Sequence, residues 1–130
     1  MAQMYGVIER VHLLGFRKDA QEIYYLADIY CHPSFREGLS VAVMEAMAAG
    51  LPIVCSDIRG NRDLIKHEKG GLLLPKPTTE AYIKCLRKII SNKAMREAMG
   101  AYNAKQVEEY DMLSINLSMK DIYESILIRL

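Results

Sequence analysis

The sequence predicts an α/β fold: a three-layer sandwich with a parallel, Rossmann-like sheet of about four strands between helices. Four short segments within residues 11–75 are apolar throughout, and helical patterns separate and follow them. Continuous apolar runs are typical of parallel strands that helices cover on both faces. The chain has 130 residues, of which 51% are hydrophobic and 25% are charged. This length and composition suit one domain over residues 1–130.

The predicted strands are short, and glycine or proline marks their limits. They lie at residues 11–15, 29–33, 51–56 and 72–75. Gly15 ends the first strand and Pro33 breaks the second. Pro52 stands at the start of the third strand, where proline is tolerated. Crossovers between such parallel strands are expected to be right-handed.

The predicted helices separate and follow these strands. They lie at residues 18–27, 39–49, 64–67, 79–91, 93–110 and 118–130. Gly50 is expected to end the second of them, and Thr78 or Thr79 is the N-cap candidate of the fourth. Residues 57–63 are predicted to form a polar turn. Residues 3–5 are expected to end a helix whose body is missing, with Gly6 as its stop.

Charge and cysteine usage exclude several classes of protein. The 17 basic and 16 acidic residues give a net charge of +1, so no nucleic-acid partner is expected. No apolar run reaches the roughly 18 residues of a membrane span, and no signal-peptide pattern is present. Cys31, Cys55 and Cys85 are widely spaced among apolar neighbours, which favours buried, reduced thiols. The expected location is the cytoplasm, either free or peripheral at the inner face of the membrane.

The histidines do not indicate a metal site. His32 follows Cys31 directly, but adjacent strand residues point to opposite faces, so the pair cannot ligate one ion. His12 is expected to be structural because it lies among core residues, and His67 is expected to be a solvated loop residue.

The loop over residues 34–40 is the candidate ligand site. It follows the second predicted strand, and ligands of such sheets bind outside the carboxyl ends of the strands. Gly38 permits close approach of the backbone to a ligand. The amides of Gly38, Leu39 and Ser40 are predicted to open the next helix, where free amides and the positive helix end favour a phosphate or diphosphate.

Two carboxylates flank this loop. Glu37 precedes the predicted helix and Glu45 lies two turns into it, about 12 Å away if the whole stretch were helical. That separation is close to the length of a nucleoside diphosphate sugar, and carboxylates accept hydrogen bonds from vicinal hydroxyls. From spacing alone, the alternative that these are solvated or helix-capping glutamates stays open.

Residues 35–54, F-R-E-G-L-S-V-A-V-M-E-A-M-A-A-G-L-P-I-V, resemble the Glu-x7-Glu segment of retaining GT-B glycosyltransferases of the glycogen-synthase/sucrose-synthase-like group. The segments V-H-L-L-G-F, I-Y-C-H-P-S and G-G-L-L-L-P fit the same pattern in order and spacing. The resemblance implies the C-terminal donor-binding domain of an enzyme of polysaccharide biosynthesis. Such an enzyme transfers a sugar from a nucleotide diphosphate sugar to a glycan or similar acceptor, with retention at the anomeric carbon.

The resemblance also implies the roles of individual residues. Glu37 is the implied catalytic residue and contacts the donor sugar, while Glu45 binds the ribose hydroxyls. The remaining implied donor-binding residues are Phe16 and Arg17 near the base, Ser34, and the backbone of Gly38, Leu39 and Ser40 over the phosphates. No metal or other cofactor is implied, because basic residues neutralise the leaving diphosphate in this group.

The chain departs from the family pattern in what it lacks. Two βα units that supply an Arg and a Lys, and the acceptor-binding domain, are absent, so a truncated chain that is inactive alone is expected. Alternatives are a non-catalytic nucleotide-binding module, an oligomerisation module, or one half of a transferase with a separate acceptor-binding chain. A homodimer through an exposed edge at residues 11–15 is also expected.

The segment R-G-N-R-D-L-I is a further departure, since the family has G-x-P-E there. Asp63 stands at the position of that acid, and its role stays open, as does that of Arg62. Arg36, Arg59 and Arg62 are interpreted as surface residues rather than as substitutes for the missing cations.

Overall fold

A parallel three-stranded sheet forms the middle layer of the structure, which is a computed structural model that describes residues 1–127. The strands are β1 (Tyr30–His32), β2 (Ile53–Ser56) and β3 (Gly71–Leu74), in the order β1-β2-β3. In the register, Ile53 lies beside Tyr30 on one side and Gly71 on the other. The predicted α/β class and parallel sheet are confirmed, and the three strands correspond to the last three predicted.

The first predicted strand, at residues 11–15, does not form, so the sheet has three strands rather than about four. These residues have no place in the sheet, and the side chain of Leu13 is 95% exposed. An apolar run becomes a strand only where a neighbouring strand pairs with its backbone. None of the three strands pairs with residues 11–15. His12 is accordingly exposed rather than structural, and β1 is the edge strand on its side of the sheet.

The described residues form six α-helices and two short 3-10 segments. The α-helices are α1 (Ala20–Tyr24), α2 (Val41–Ala48), α3 (Arg59–Leu64), α4 (Thr79–Ile90), α5 (Lys93–Gln106) and α6 (Met112–Leu127), and the 3-10 segments are Ile8–Arg10 and Val107–Tyr110. Thr78 caps α4 as predicted, since its hydroxyl oxygen accepts a hydrogen bond from the Ala81 amide at 3.2 Å. Gly50 ends α2 with a φ of 72°, a conformation that glycine adopts without strain. The last helix begins six residues earlier than predicted, and residues 128–130 of that prediction lie outside the described residues.

Two predicted helices are wrong in extent or place. The helix predicted over 18–27 is confined to α1, and Leu26 is exposed, because so short a helix depends on packing that Leu26 does not find. Residues 59–63 of the turn predicted over 57–63 are helical in α3, and the helix predicted over 64–67 is wrong, because α3 ends at Leu64. Asn61 explains this second error. Its side chain is buried and donates a hydrogen bond to the Ser56 carbonyl at 2.9 Å. A polar residue can therefore lie on the buried side of this helix.

Helices cover both faces of the sheet. Successive side chains of β2 point to opposite faces, and all four residues of β2 are buried. The face of Ile53 and Cys55 packs with α2, the segment after it and the end of α3. The residues are Val43, Ala46, Met47, Leu51, Leu64 and Ile65. The face of Val54 packs with Leu72, Leu74, Ile89 and Met99. The predicted three layers are confirmed.

The three cysteines are free thiols, as predicted, but they differ in exposure. Cys55 is buried in β2, and burial is the main cause that raises the pKa of its thiol to about 12. Cys85 is half-buried on α4. Cys31 is exposed, contrary to the prediction, because it lies on an edge strand with one neighbouring strand.

A buried asparagine ties α5 to the segments that lead into β2 and β3. The side-chain amide of Asn103 donates to the carbonyls of Leu51 at 2.7 Å and Gly70 at 2.6 Å. Nearby, a Cβ on Gly100 would lie 2.0 Å from the Gly50 carbonyl oxygen, so α5 approaches this backbone closely. These contacts hold the starts of both strands, which in turn places their carboxyl ends.

Among residues 1–127, no helix combines the length and apolar character that a membrane span requires.

Candidate functional site

The carboxyl ends of the three parallel strands meet at one edge of the sheet, where the candidate loop also lies. This loop runs from Pro33, after β1, to Ser40, the N-cap of α2. Ser40 has an extended backbone, with φ −80° and ψ 111°, so α2 begins at Val41 rather than at Leu39. The amides of Gly38, Leu39 and Ser40 therefore belong to the loop that enters the helix, which corrects the prediction that they open it.

Two contacts with the backbone hold the candidate loop against the rest of the domain. The Ser56 hydroxyl at the end of β2 donates to the Ser34 carbonyl. Gly60 in α3 lies against Gly38, so closely that a Cβ on Gly60 would be 1.7 Å from the Gly38 carbonyl oxygen. Neither contact was predicted from the sequence. The contact of Gly60 was missed because the segment around it was interpreted as a turn.

Glu37 is partly buried and has a histidine partner. The carboxylate oxygen Oε1 lies 3.2 Å from Nε2 of His32, and the Tyr30 hydroxyl lies 3.4 Å from Nδ1 of His32. The two rings stack with centroids 5.8 Å apart. His32 is a site residue that the sequence analysis missed. The signal was the spacing of Tyr30 and His32, which places two such strand residues on one face.

Glu45 lies on α2 beside a second group of polar residues. Its Oε1 accepts a hydrogen bond from the side-chain amide of Gln21 at 3.0 Å, another residue that the sequence analysis missed. The two lie beside a cavity of about 220 Å³ whose remaining lining is Tyr24, Tyr25 and Ala48.

A half-buried tyrosine connects the two carboxylates. Burial raises the pKa of Tyr30 to about 12, and Tyr24, Glu37 and Glu45 add to the shift. Both acids therefore lie near enough to act on one phenol electrostatically. Since only Val41–Ala48 is helical, the 12 Å estimate for a continuous helix does not describe their separation.

A cavity of about 330 Å³ opens beside Glu37. It is lined by Glu37, Gly38, Leu39, Arg59, Gly60 and Asp63. Arg59, which was interpreted from the sequence as a surface residue, thus lines the same cavity as the loop residues Gly38 and Leu39. Asp63 lies there too, and its carbonyl accepts from the Tyr110 hydroxyl at 2.9 Å. Arg62 instead pairs with Asp57 at 3.4 Å.

The predicted base-binding residues, Phe16 and Arg17, are both exposed. Phe16 is 91% exposed, and Arg17 forms an ion pair with Asp19. Neither lines the cavity beside Glu37 or the one beside Glu45.

A larger cavity of about 510 Å³ lies between β3 and α4, away from the candidate loop. It borders His67, whose Nδ1 accepts from the Leu73 amide at 3.0 Å, so this histidine is not merely solvated.

The arrangement can bind a ligand that carries both anionic and hydroxyl groups. A guanidinium and loop amides favour phosphate oxygens, and carboxylates accept hydrogen bonds from hydroxyls. Within residues 1–127, no three side chains of the metal-binding types are grouped closely enough to hold a metal ion.

Comparisons with known proteins agree with this chemistry. The family model described as "Glycosyl transferases group 1" matches residues 1–106. The chain belongs to this family of glycosyltransferases. In the structural comparison, it resembles sucrose-phosphate synthase from Thermosynechococcus elongatus with a TM-score of 0.85 and 25% identity, covering 99% of this chain and 33% of that one.

Two curated relatives show the range of named activities. UDP-Gal:alpha-D-GlcNAc-diphosphoundecaprenol alpha-1,3-galactosyltransferase of Escherichia coli is 30% identical over 115 residues, which are 88% of this chain and 30% of the relative. Phosphatidyl-myo-inositol mannosyltransferase of Mycobacterium leprae is 30% identical over 128 residues, 96% of this chain and 34% of the relative. The chain thus spans about a third of the length of the curated relatives it matches.

The contact between Gly60 and Gly38 predicts the effect of adding one methyl group. We expect Gly60→Ala to lower the urea midpoint of unfolding and to destabilise the fold by about 1–3 kcal/mol, because its Cβ collides with a backbone carbonyl. Helix propensity alone predicts the opposite sign, since alanine is favoured over glycine by about 1 kcal/mol. Gly38→Ala is the matched control, because its Cβ meets nothing within 4 Å. A midpoint for Gly60→Ala at or above that of the control would contradict the contact.

Proposed function

We propose that this chain is the donor-binding part of a retaining glycosyltransferase, which transfers a sugar from a nucleoside diphosphate sugar to a glycan or similar acceptor. The observation that carries the proposal is the placement of Glu37, the loop Gly38–Ser40 and Glu45 along one loop and helix beyond the carboxyl end of β1. The E. coli relative, named for its UDP-Gal donor, supports this ligand class. The free thiols fit a reducing compartment, so we also propose a cytoplasmic location, free or at the inner membrane face.

The diphosphate is proposed to lie over the loop Gly38–Ser40. Ser40 makes no side-chain capping bond, so that side chain does not occupy the first amides of α2. The positive end of the helix adds attraction for an anion. Arg59 lies beside the same loop and supplies positive charge to the leaving diphosphate. We therefore propose that donor binding needs no metal or other cofactor.

The two ends of the donor are proposed to bind the two carboxylates. Glu37 contacts the sugar whose anomeric bond breaks, and it is the proposed catalytic residue. Glu45, together with its neighbour Gln21, binds the ribose hydroxyls. Phe16 and Arg17 are proposed to lie near the base, and Ser34 to border the donor through the loop that Ser56 holds.

Separate replacement of the two acids tests this division. We expect Glu45→Gln to weaken binding of both UDP and UDP-galactose about tenfold or more, because it removes charge-assisted hydrogen bonds to the ribose. Glu37→Gln should weaken only UDP-galactose, because UDP carries no donor sugar. Isothermal titration calorimetry measures both ligands.

Glu97→Gln is the matched control for this experiment, since Glu97 is an exposed acid of α5 that forms an ion pair with Lys93 at 3.5 Å. It should leave both affinities unchanged. Equal losses for both ligands in both site variants would show that the two acids do not divide the donor between them.

The isolated chain is proposed to bind the donor without transferring the sugar. Transfer requires that donor and acceptor be held together in a reactive geometry, and the groups described above all serve the donor. We expect no turnover of UDP-galactose with short glycan acceptors, measured by release of UDP. Steady product formation by the purified chain would overturn this expectation.

A second candidate function is that of an interaction module, one half of a two-chain enzyme or a homodimer. The observation that favours it is a set of large apolar side chains left in solvent within the first 35 residues: Leu13, Phe16, Leu26 and Phe35 are each at least 84% exposed. Exposed apolar groups of this size mark interfaces when they form a patch. The edge of β1 that faces away from β2 is also unpaired in the sheet of the described residues.

Sedimentation distinguishes this candidate. We expect the chain to sediment as a dimer at micromolar concentration, and Leu13→Asp to shift it to the 14.8 kDa monomer, because a buried interface does not accept an unpaired charge. Ile90→Asp, at an exposed position of α4, is the control and should leave the dimer intact. A monomer in the unaltered chain would exclude the homodimer.

A further inference from the structure

Two consecutive hydrogen bonds connect Tyr30 to His32 and His32 to Glu37, and the proposed function assigns them no role. They run from the Tyr30 hydroxyl to Nδ1 of His32 over 3.4 Å, and from Nε2 of His32 to Oε1 of Glu37 over 3.2 Å. Tyr24 packs edge-on against Tyr30 with ring centroids 5.5 Å apart. All of these groups are near the donor loop, yet only Glu37 borders its cavity.

The chemistry of the two outer groups determines where the histidine proton lies. A carboxylate oxygen can only accept hydrogen bonds, so Nε2 of His32 is the donor to Oε1 of Glu37. The Tyr30 hydroxyl stays protonated, because burial and its neighbours raise its pKa to about 12. It can therefore donate to Nδ1, which in the neutral ring is the acceptor.

The same contacts determine which carboxylate oxygen of Glu37 accepts a hydrogen bond from the protein. His32 engages Oε1, and among residues 1–127 no hydrogen bond to Oε2 is formed. His32 is itself held in β1 by the pairing of that strand with β2. A side chain on a loop is thereby held by a residue of the sheet, an arrangement that fixes functional groups well.

We propose that His32 is a positioning residue for Glu37. It is neutral, carries its proton on Nε2, and holds Oε1 so that Oε2 faces a hydroxyl of the donor sugar. The role of His32 toward the sugar rests on the proposed function of Glu37. The position of the proton does not, so the two can be tested separately.

Nuclear magnetic resonance tests the proton position without any ligand. Two-bond ¹H–¹⁵N correlations of the labelled chain show which imidazole nitrogen is protonated, and His32→Gln assigns the signal. We expect the Nε2–H tautomer for His32 at neutral pH, and a shift toward a tautomer mixture in Glu37→Leu, because leucine offers no acceptor. His67, whose Nδ1 accepts a backbone amide, is an internal reference for this tautomer, and the exposed His12 is a reference for a mixture of both tautomers. An Nδ1–H or doubly protonated His32, or a tautomer that Glu37→Leu leaves unchanged, overturns the proposal.

Calorimetry tests the consequence for the sugar. We expect His32→Leu to weaken UDP-galactose binding about five- to tenfold while UDP binding stays the same, because only the sugar depends on Glu37. His32→Gln should recover the affinity to within about twofold, since its amide can donate from nearly the position of Nε2. A merely structural histidine would instead affect both ligands equally, and that result overturns the positioning role.

The two experiments separate the failure of this inference from failure of the proposed function. If the unaltered chain binds neither UDP nor UDP-galactose, the proposed donor site is wrong, and so is a role of His32 toward the sugar. The tautomer measurement would still decide whether His32 holds Glu37. If UDP-galactose binds but His32→Leu leaves its affinity unchanged, the donor site stands and the positioning role is overturned. The circular dichroism of each variant shows that the fold is retained.

Discussion

The burial of β2 is the constraint on which the rest of the domain depends. All four of its residues are buried, and it pairs with a strand on each side. Each face carries its own helix layer, so the strand cannot shift register without exposing both cores. Its last residue, Ser56, reaches both the candidate loop through Ser34 and α3 through Asn61. The position of the site is therefore a consequence of the central strand.

The site combines a rigid backbone with polar side chains of modest burial. Ser56 and Gly60 hold the loop by contacts with main-chain carbonyls, and Glu37 on this loop lines the cavity. Within residues 1–127, each of the two acids has a side-chain hydrogen-bond partner, His32 for Glu37 and Gln21 for Glu45. A partner that donates a hydrogen bond orients a carboxylate while the second oxygen can still accept one.

Charge balance explains how an anionic donor can lie between two acids. Carboxylates near a diphosphate repel it, so backbone amides and a cation must offset that repulsion. The loop amides and Arg59 are the groups beside the cavity that can do so. In the proposed arrangement, the two acids face hydroxyl groups at the ends of the donor rather than its phosphates.

The sequence by itself determined the fold class, the three strands, the Glu-x7-Glu segment and the family. These depend on local patterns: apolar runs, capping residues such as Thr78, and the spacing of Glu37 and Glu45 along the chain. Such patterns also misled where packing decides the outcome. Residues 11–15 have the composition of a strand but no neighbouring strand, and the polar segment around Asn61 forms a helix because Ser56 satisfies its side chain.

Only the tertiary structure decided which residues surround the two acids. His32, Gln21 and Arg59 come from β1, α1 and α3, and their contacts with the site depend on how these elements pack on the sheet. Asn103, at the opposite end of the sheet, likewise depends on packing. Its side chain donates to the carbonyl of Leu51, 52 residues away in the chain, and to that of Gly70, 33 residues away. The sequence gives residue types and spacings along the chain, whereas hydrogen bonds between distant segments form only after burial has placed the backbones beside each other.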